Sequence, residues 1–68
     1  MQLTINGKKQ QIDGGEWNLI RLLKLQRVQR PETVFVQLNG EMVAGKHFET
    51  TQLKDNDEVE ILHYVGGG

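Results

Sequence analysis

Asparagine followed by glycine occurs twice in this chain, at Asn6-Gly7 and Asn39-Gly40. That dipeptide is the strongest short-range signal for a two-residue β-hairpin, because both central residues of the turn take positive φ. The first copy follows Gln2-Leu3-Thr4-Ile5-Asn6, where Met1, Leu3 and Ile5 share one face of a half-buried strand. Lys9-Gln10-Gln11-Ile12 reads as the return strand, polar enough for a sheet edge. The second copy follows Thr33-Val34-Phe35-Val36-Gln37-Leu38, a β-branched and aromatic run with Val34, Val36 and Leu38 on one face. Glu41-Met42-Val43 is its short partner strand.

Between the hairpins lies the single stretch with helical spacing. Asn18 is a good N-cap, and Leu19, Leu22 and Leu23 form a buried stripe with Ile20 at its margin. The predicted helix runs from about Leu19 to about Gln29 and stops before Pro31. Arg21, Lys24 and Arg27 lie toward solvent, and Arg27 and Arg30 suit the helix C-terminus. Trp17, just ahead of the cap, packs back on the helix start. Ala44 to Leu53 is irregular, with Phe48 and Leu53 as its anchors into the core. Lys54-Asp55-Asn56-Asp57 is a tight turn in which Asn56 tolerates a left-handed conformation. The last strand, Glu58 to Val65, buries Val59 and Ile61. One helix covers one face of one sheet, so the expected fold is a two-layer α+β domain. It has one mixed sheet of four to five strands, packed on one long helix.

Composition excludes several function classes. Sixty-eight residues make one small domain. A single core of this size leaves a margin of roughly 3–5 kcal/mol unless a metal, disulfide or partner helps. The net charge of −1 argues against a nucleic-acid binder that relies on a basic face. Apolar runs are too short for a membrane span, and the first residues do not read as a signal peptide. His47 and His63 stand far apart, so no metal site is expected. There is no cysteine, which fits a cytoplasmic location. It also means that any sulfur or acyl group the chain carries must sit on a lysine, a hydroxyl or a terminal carboxylate.

The last four residues are Val65-Gly66-Gly67-Gly68. Glycine allows a backbone to approach a partner closely. Three in a row cannot pack into a core, but they can thread a narrow slot and present an α-carboxylate. The domain is therefore expected to span 1–65, with 66–68 as a flexible tail. Four extended residues reach about 13–14 Å, enough to leave the globule and enter another protein's active site.

Hairpin, crossing helix, short hairpin and a last strand ending in glycines resemble the ubiquitin-like β-grasp fold. More narrowly, the chain resembles the ThiS-type sulfur carriers of thiamin biosynthesis over its whole length. The resemblance rests on Met1-Gln2-Leu3-Thr4-Ile5-Asn6-Gly7, on Val36-Gln37-Leu38-Asn39-Gly40-Glu41-Met42-Val43, on Asp55-Asn56-Asp57-Glu58-Val59-Glu60-Ile61 and on the closing glycines. The chain departs from the family at Asn56, where glycine is common, and at Ala44 and Gly45, where proline and arginine are frequent. It departs also at Phe48, commonly tryptophan, and at Gln26, more usually leucine.

The resemblance implies a carrier, not an enzyme, with no bound cofactor and no catalytic residues of its own. An E1-like activating enzyme would use ATP to adenylate Gly68. Sulfur, supplied in some systems by a sulfurtransferase, would replace the AMP to give a thiocarboxylate. Thiazole synthase would accept that sulfur. Gly66 and Gly67 would form the stem recognised in the enzyme's channel, and the free protein is expected to be a monomer. Alternatives are a carrier for molybdopterin synthesis or tRNA thiolation, a ubiquitin-like protein modifier joined through Gly68, and a non-covalent β-grasp binding module. Molybdopterin carriers tend to be longer, with proline before the glycines.

Strand phase supplies the remaining candidates. With Val36, Val59 and Ile61 under the helix, Phe35 and Leu62 point to the opposite face, joined by Tyr64. Singly exposed apolar side chains are ordinary, but three on one face leading to a reactive tail make a candidate docking patch. His63 reads as a half-buried structural histidine, Lys8-Lys9 as solvated, Thr50-Thr51 as a cap or turn, and Glu58 and Glu60 as solubilising carboxylates.

Overall fold

The computed structural model describes residues 1–64. Five strands form one sheet: β1 (Gln2–Ile5), β2 (Lys8–Gln11), β3 (Val34–Leu38), β4 (Glu41–Val43) and β5 (Glu58–His63). Their spatial order is β2-β1-β5-β3-β4. Both hairpins pair antiparallel through the Asn-Gly turns. β5 inserts between them, parallel to β1 and antiparallel to β3. The sheet is therefore mixed, and the last strand is its centre.

Helix α1 (Leu19–Leu25) crosses one face. Its Leu19, Leu22 and Leu23 share a core with Leu3, Ile5, Val34, Val36, Val59 and Ile61. These are alternate residues on β1, β3 and β5, as the strand phase required. Phe48 and Leu53 enter the same core from the segment after β4, which contains a short 3-10 turn, Gly45–His47. That segment is tied to the helix start, since the Leu19 N–H donates to the Thr51 carbonyl and the Leu53 N–H to the Trp17 carbonyl. Thr50 and Thr51 hydroxyls both donate to the His47 carbonyl, closing the turn.

Three sequence expectations need correction. The helix is short: it ends at Leu25, not near Gln29. Arg27 adopts φ 65°, its N–H donates to the Lys24 carbonyl, and the Val28 N–H donates to the Leu23 carbonyl. That is a Schellman ending with arginine where glycine is usual. A side chain in this conformation costs about 1–2 kcal/mol. Val28, read as part of the helix, is instead the apolar residue beyond the cap and is buried. The last strand ends at His63 rather than Val65, whose placement lies outside the described residues. His63 is exposed, not half-buried, because β5 runs past the end of the helix there.

Trp17 is buried, with its indole N–H donating to the Asp13 carbonyl. The Arg21 guanidinium lies 4.0 Å from the ring centroid and donates to the Gly14 and Glu16 carbonyls. A cation on the ring face together with those hydrogen bonds fixes the β2–α1 loop. Asn18 caps the helix, accepting from the Arg21 N–H at 2.8 Å.

The turn asparagines do more than turn. Asn6 and Asn39 hold φ near 50°, and each side-chain amide reaches β5 from a different neighbouring strand. The Asn6 Oδ1 accepts from the Ile61 N–H at 2.7 Å, and its Nδ2 donates to the Ile61 carbonyl at 3.3 Å. The Asn39 Oδ1 accepts from the Glu58 N–H at 2.8 Å, and its Nδ2 donates to the Asp57 carboxylate at 2.9 Å. Asn6 thus prolongs the β1–β5 ladder with a side-chain amide in place of a peptide. Asn6→Gly keeps the positive φ and removes this clamp. Because the Ile61 N–H loses its partner in a part-buried site, a loss of about 1–3 kcal/mol is expected. Denaturant unfolding measures it. Stability equal to the native protein's would show that the amide contributes nothing beyond the turn.

Candidate functional site

The sheet face away from α1 carries no covering element among the described residues. Phe35 and Leu62 are direct cross-strand neighbours on it, in the antiparallel β3–β5 register. Their relative exposures are 40% and 49%, and Tyr64 reaches 57%. The Phe35 and Tyr64 rings stand 4.4 Å apart between centroids, tilted by 53°, a favourable aromatic geometry. The structure therefore brings Phe35, Leu62 and Tyr64 together.

Met42 belongs to the same surface and was not singled out from the sequence. It pairs with Gln37 across β3–β4, which places it diagonal to Phe35 on the open face. It is 56% exposed. Phe35, Met42 and Tyr64 together line one groove with Pro31, Ala44 and Phe48. The signal was available: a two-residue Asn-Gly loop fixes the hairpin register, so Met42 had to alternate with Val43 onto the face of Phe35.

The path of the chain toward its last residues is defined as far as Tyr64. The Tyr64 N–H donates to the Thr33 carbonyl at 3.0 Å, so the end of β5 is held to the 3-10 turn Pro31–Thr33 that precedes β3. Gly66 and Gly67, expected to be recognised, and Gly68, expected to react, lie outside the described residues. Glu58 and Glu60 are exposed on the same face as Leu62. His47 and His63 are both exposed and belong to no group of three or more potential metal ligands among the described residues. No helix of the described residues is long and apolar enough to cross a membrane.

Among the described residues this face is open rather than enclosed. It offers an apolar, partly aromatic platform on the central strands, at the place where the chain leaves the sheet. Such a surface can bind a protein close to the point from which the chain continues past Tyr64.

The family model described as the ThiS family matches residues 3–68. The sulfur carrier protein ThiS of Bacillus subtilis (strain 168) is 40% identical over 35 residues, covering 52% of this chain and 53% of that protein. The chain thus spans about half the length of this curated relative. A crystal structure of a thiamine biosynthesis protein, ThiS, from Geobacter metallireducens superposes with a TM-score of 0.86 at 43% identity, covering all of both chains. An NMR solution structure of a thiamine biosynthesis protein from the same organism gives 0.83 at 43% identity, covering 100% of this chain and 88% of that one. With a matching family model over nearly its whole length and the same β-grasp fold, the chain belongs to the ThiS family.

Proposed function

We propose that this protein is a sulfur carrier for thiamine biosynthesis and that its group-carrying residue is Gly68. The observation that carries this reading is the family match, which extends through the terminal glycines on a chain without cysteine. A carboxylate is a poor electrophile, because resonance spreads its charge over both oxygens. Attack of the Gly68 carboxylate on the α-phosphorus of ATP forms an acyl adenylate and releases pyrophosphate. Hydrosulfide, or a donor that delivers sulfur at the sulfide level, then attacks the acyl carbon and displaces AMP, leaving a thiocarboxylate at the end of the chain. That sulfur is nucleophilic without any side-chain thiol, and thiazole synthase is the proposed acceptor. An activating enzyme supplies the catalysis. The carrier supplies a docking platform and a slim stem, Gly66-Gly67, that a narrow channel admits.

The intact mass of the protein isolated from its native host tests the reading. A species heavier by one oxygen-to-sulfur exchange, localised to the C-terminal peptide, is the expected result. A population carrying no such species under thiamine limitation counts against it.

The docking role assigned to Phe35, Leu62 and Tyr64, with Met42 added, gives a separate prediction. Aromatic and aliphatic anchors at an interface each account for roughly 1–4 kcal/mol of binding. Phe35→Ser and Leu62→Ser should therefore raise the carrier's KM in the activation reaction by about fivefold or more. Since neither side chain is in the core, both variants should stay folded, with the melting temperature of Phe35→Ser lowered by several degrees at most through loss of the Tyr64 contact. Variants activated as well as the native protein would remove these residues from the interface.

A further inference from the structure

Arg27, at φ 65°, occupies a backbone conformation that glycine adopts without strain. Strained positions that persist are often tied to function, and here the surroundings suggest which. Arg27, Arg30 and His63 line one groove together with Val28, Gln29 and Thr33. The groove lies beside the exit of the chain from the sheet, because Thr33 accepts the Tyr64 N–H and His63 directly precedes Tyr64. Among the described residues Arg27 has no carboxylate within ion-pair distance. Arg30 has only Glu32 at 3.8 Å, with both side chains at least 70% exposed, a pairing of little strength. The helix C-terminus does not require Arg27, since α1 is one short helix and Lys24 already lies in its last turn.

We propose that this cationic groove receives carboxylate side chains of the activating enzyme as it engages the tail. The proposal rests on the carrier reading for the identity of that partner. It adds a second, electrostatic contact on the helix side of β5, next to the apolar platform on the open side. Two contacts on either side of the exit strand would fix the direction in which the chain leaves. Cations at the rim of an interface act mainly by steering the encounter, so their effect should fade as salt rises.

Arg27→Gly separates fold from function. Relief of the left-handed side chain, offset in part by glycine's added chain entropy, should hold the melting temperature or raise it by up to about 10 °C. The same change should raise the carrier's KM in activation roughly two- to fivefold at low salt, leave the KM for ATP unchanged, and lose its effect at high salt. Arg30→Gln should add to it. An unchanged KM for the carrier, a changed KM for ATP, or a fall in melting temperature with Arg27→Gly would overturn the proposal. The last would show that Arg27 serves the fold. A second measurement does not depend on activation. Titrating native 15N-labelled protein with hexaglutamate should shift the amides of Arg27 to Arg30, Glu32, Thr33 and His63 and leave those of Lys8 and Lys9 in place. Shifts centred elsewhere, or none, also overturn it. If the native protein is not adenylated at all, the carrier reading fails, and the titration alone decides whether the groove binds carboxylates.

Discussion

Adding one residue after Gly68, or deleting Gly68, is expected to abolish thiocarboxylate formation. The reason is chemical and geometric together. Adenylation needs a free α-carboxylate at the depth a glycine stem can reach. An added residue moves that carboxylate by about 3.3–3.6 Å and puts a side chain or a further peptide where only backbone was admitted. A displacement of about 1 Å can already cost a hundredfold in rate, so no product should be detectable by intact mass after incubation with the activating enzyme and ATP. The fold should be indifferent, because every buried apolar residue among the described ones lies between Leu3 and Ile61. Melting temperatures of the native, shortened and extended proteins should therefore coincide. Thiolation of the extended protein without prior trimming would show that Gly68 is not the reacting residue.

Phe48→Ala is expected to leave about half or more of the molecules unfolded at 25 °C. Phe48 is 2% exposed and heads the fully buried side chains by volume, although it sits in a segment with little regular structure. Truncating a buried phenylalanine costs about 3–5 kcal/mol through lost transfer energy and the cavity left behind. A domain of this size holds roughly that much in total. The two magnitudes are equal, so one substitution should consume the margin. Loss of amide dispersion in the 15N spectrum, or the absence of a cooperative thermal transition, would report it. Phe48→Leu leaves a smaller void and should retain a cooperative transition at lower temperature. A well-folded Phe48→Ala protein would mean that the segment from Ala44 to Leu53 collapses into the void, or that the core holds more stability than its size implies. The same substitution in activation assays would then measure how far the groove beside Phe35 depends on its floor.

Much of this molecule was legible from residue order. Alternation in Leu3-Thr4-Ile5, Val34-Phe35-Val36 and Val59-Glu60-Ile61 assigned the faces correctly, because a strand's side-chain period of two leaves only two phases and one of them buries polar or charged side chains such as Thr4, Gln37 and Glu60. Asn6-Gly7 and Asn39-Gly40 located both hairpins for an equally local reason, their tolerance of positive φ. Asn56 at φ 70° obeys the same rule. Exposure of Phe35 and Leu62 came from the phase, and with it the candidate platform.

What local pattern could not decide was how the pieces meet. The helix end was misplaced because its left-handed residue is an arginine rather than a glycine, and only the partners of the Arg27 and Val28 amides reveal the cap. Strand order was likewise invisible: nothing in Glu58-Val59-Glu60-Ile61 states that it enters between the two hairpins, parallel to one and antiparallel to the other. That placement is a global solution, in which the strand that joins the two hairpins is the one that the turn amides of Asn6 and Asn39 hold. The convergence of Arg27, Arg30 and His63 is of the same kind. Residues 27 and 63 are distant in sequence, and they share a groove because β5 pairs with the strand that comes after the helix, bringing His63 opposite Val34. Local sterics and hydrophobic period act within a few residues and are written in the sequence. Contacts between distant segments depend on how all the strands close around one core.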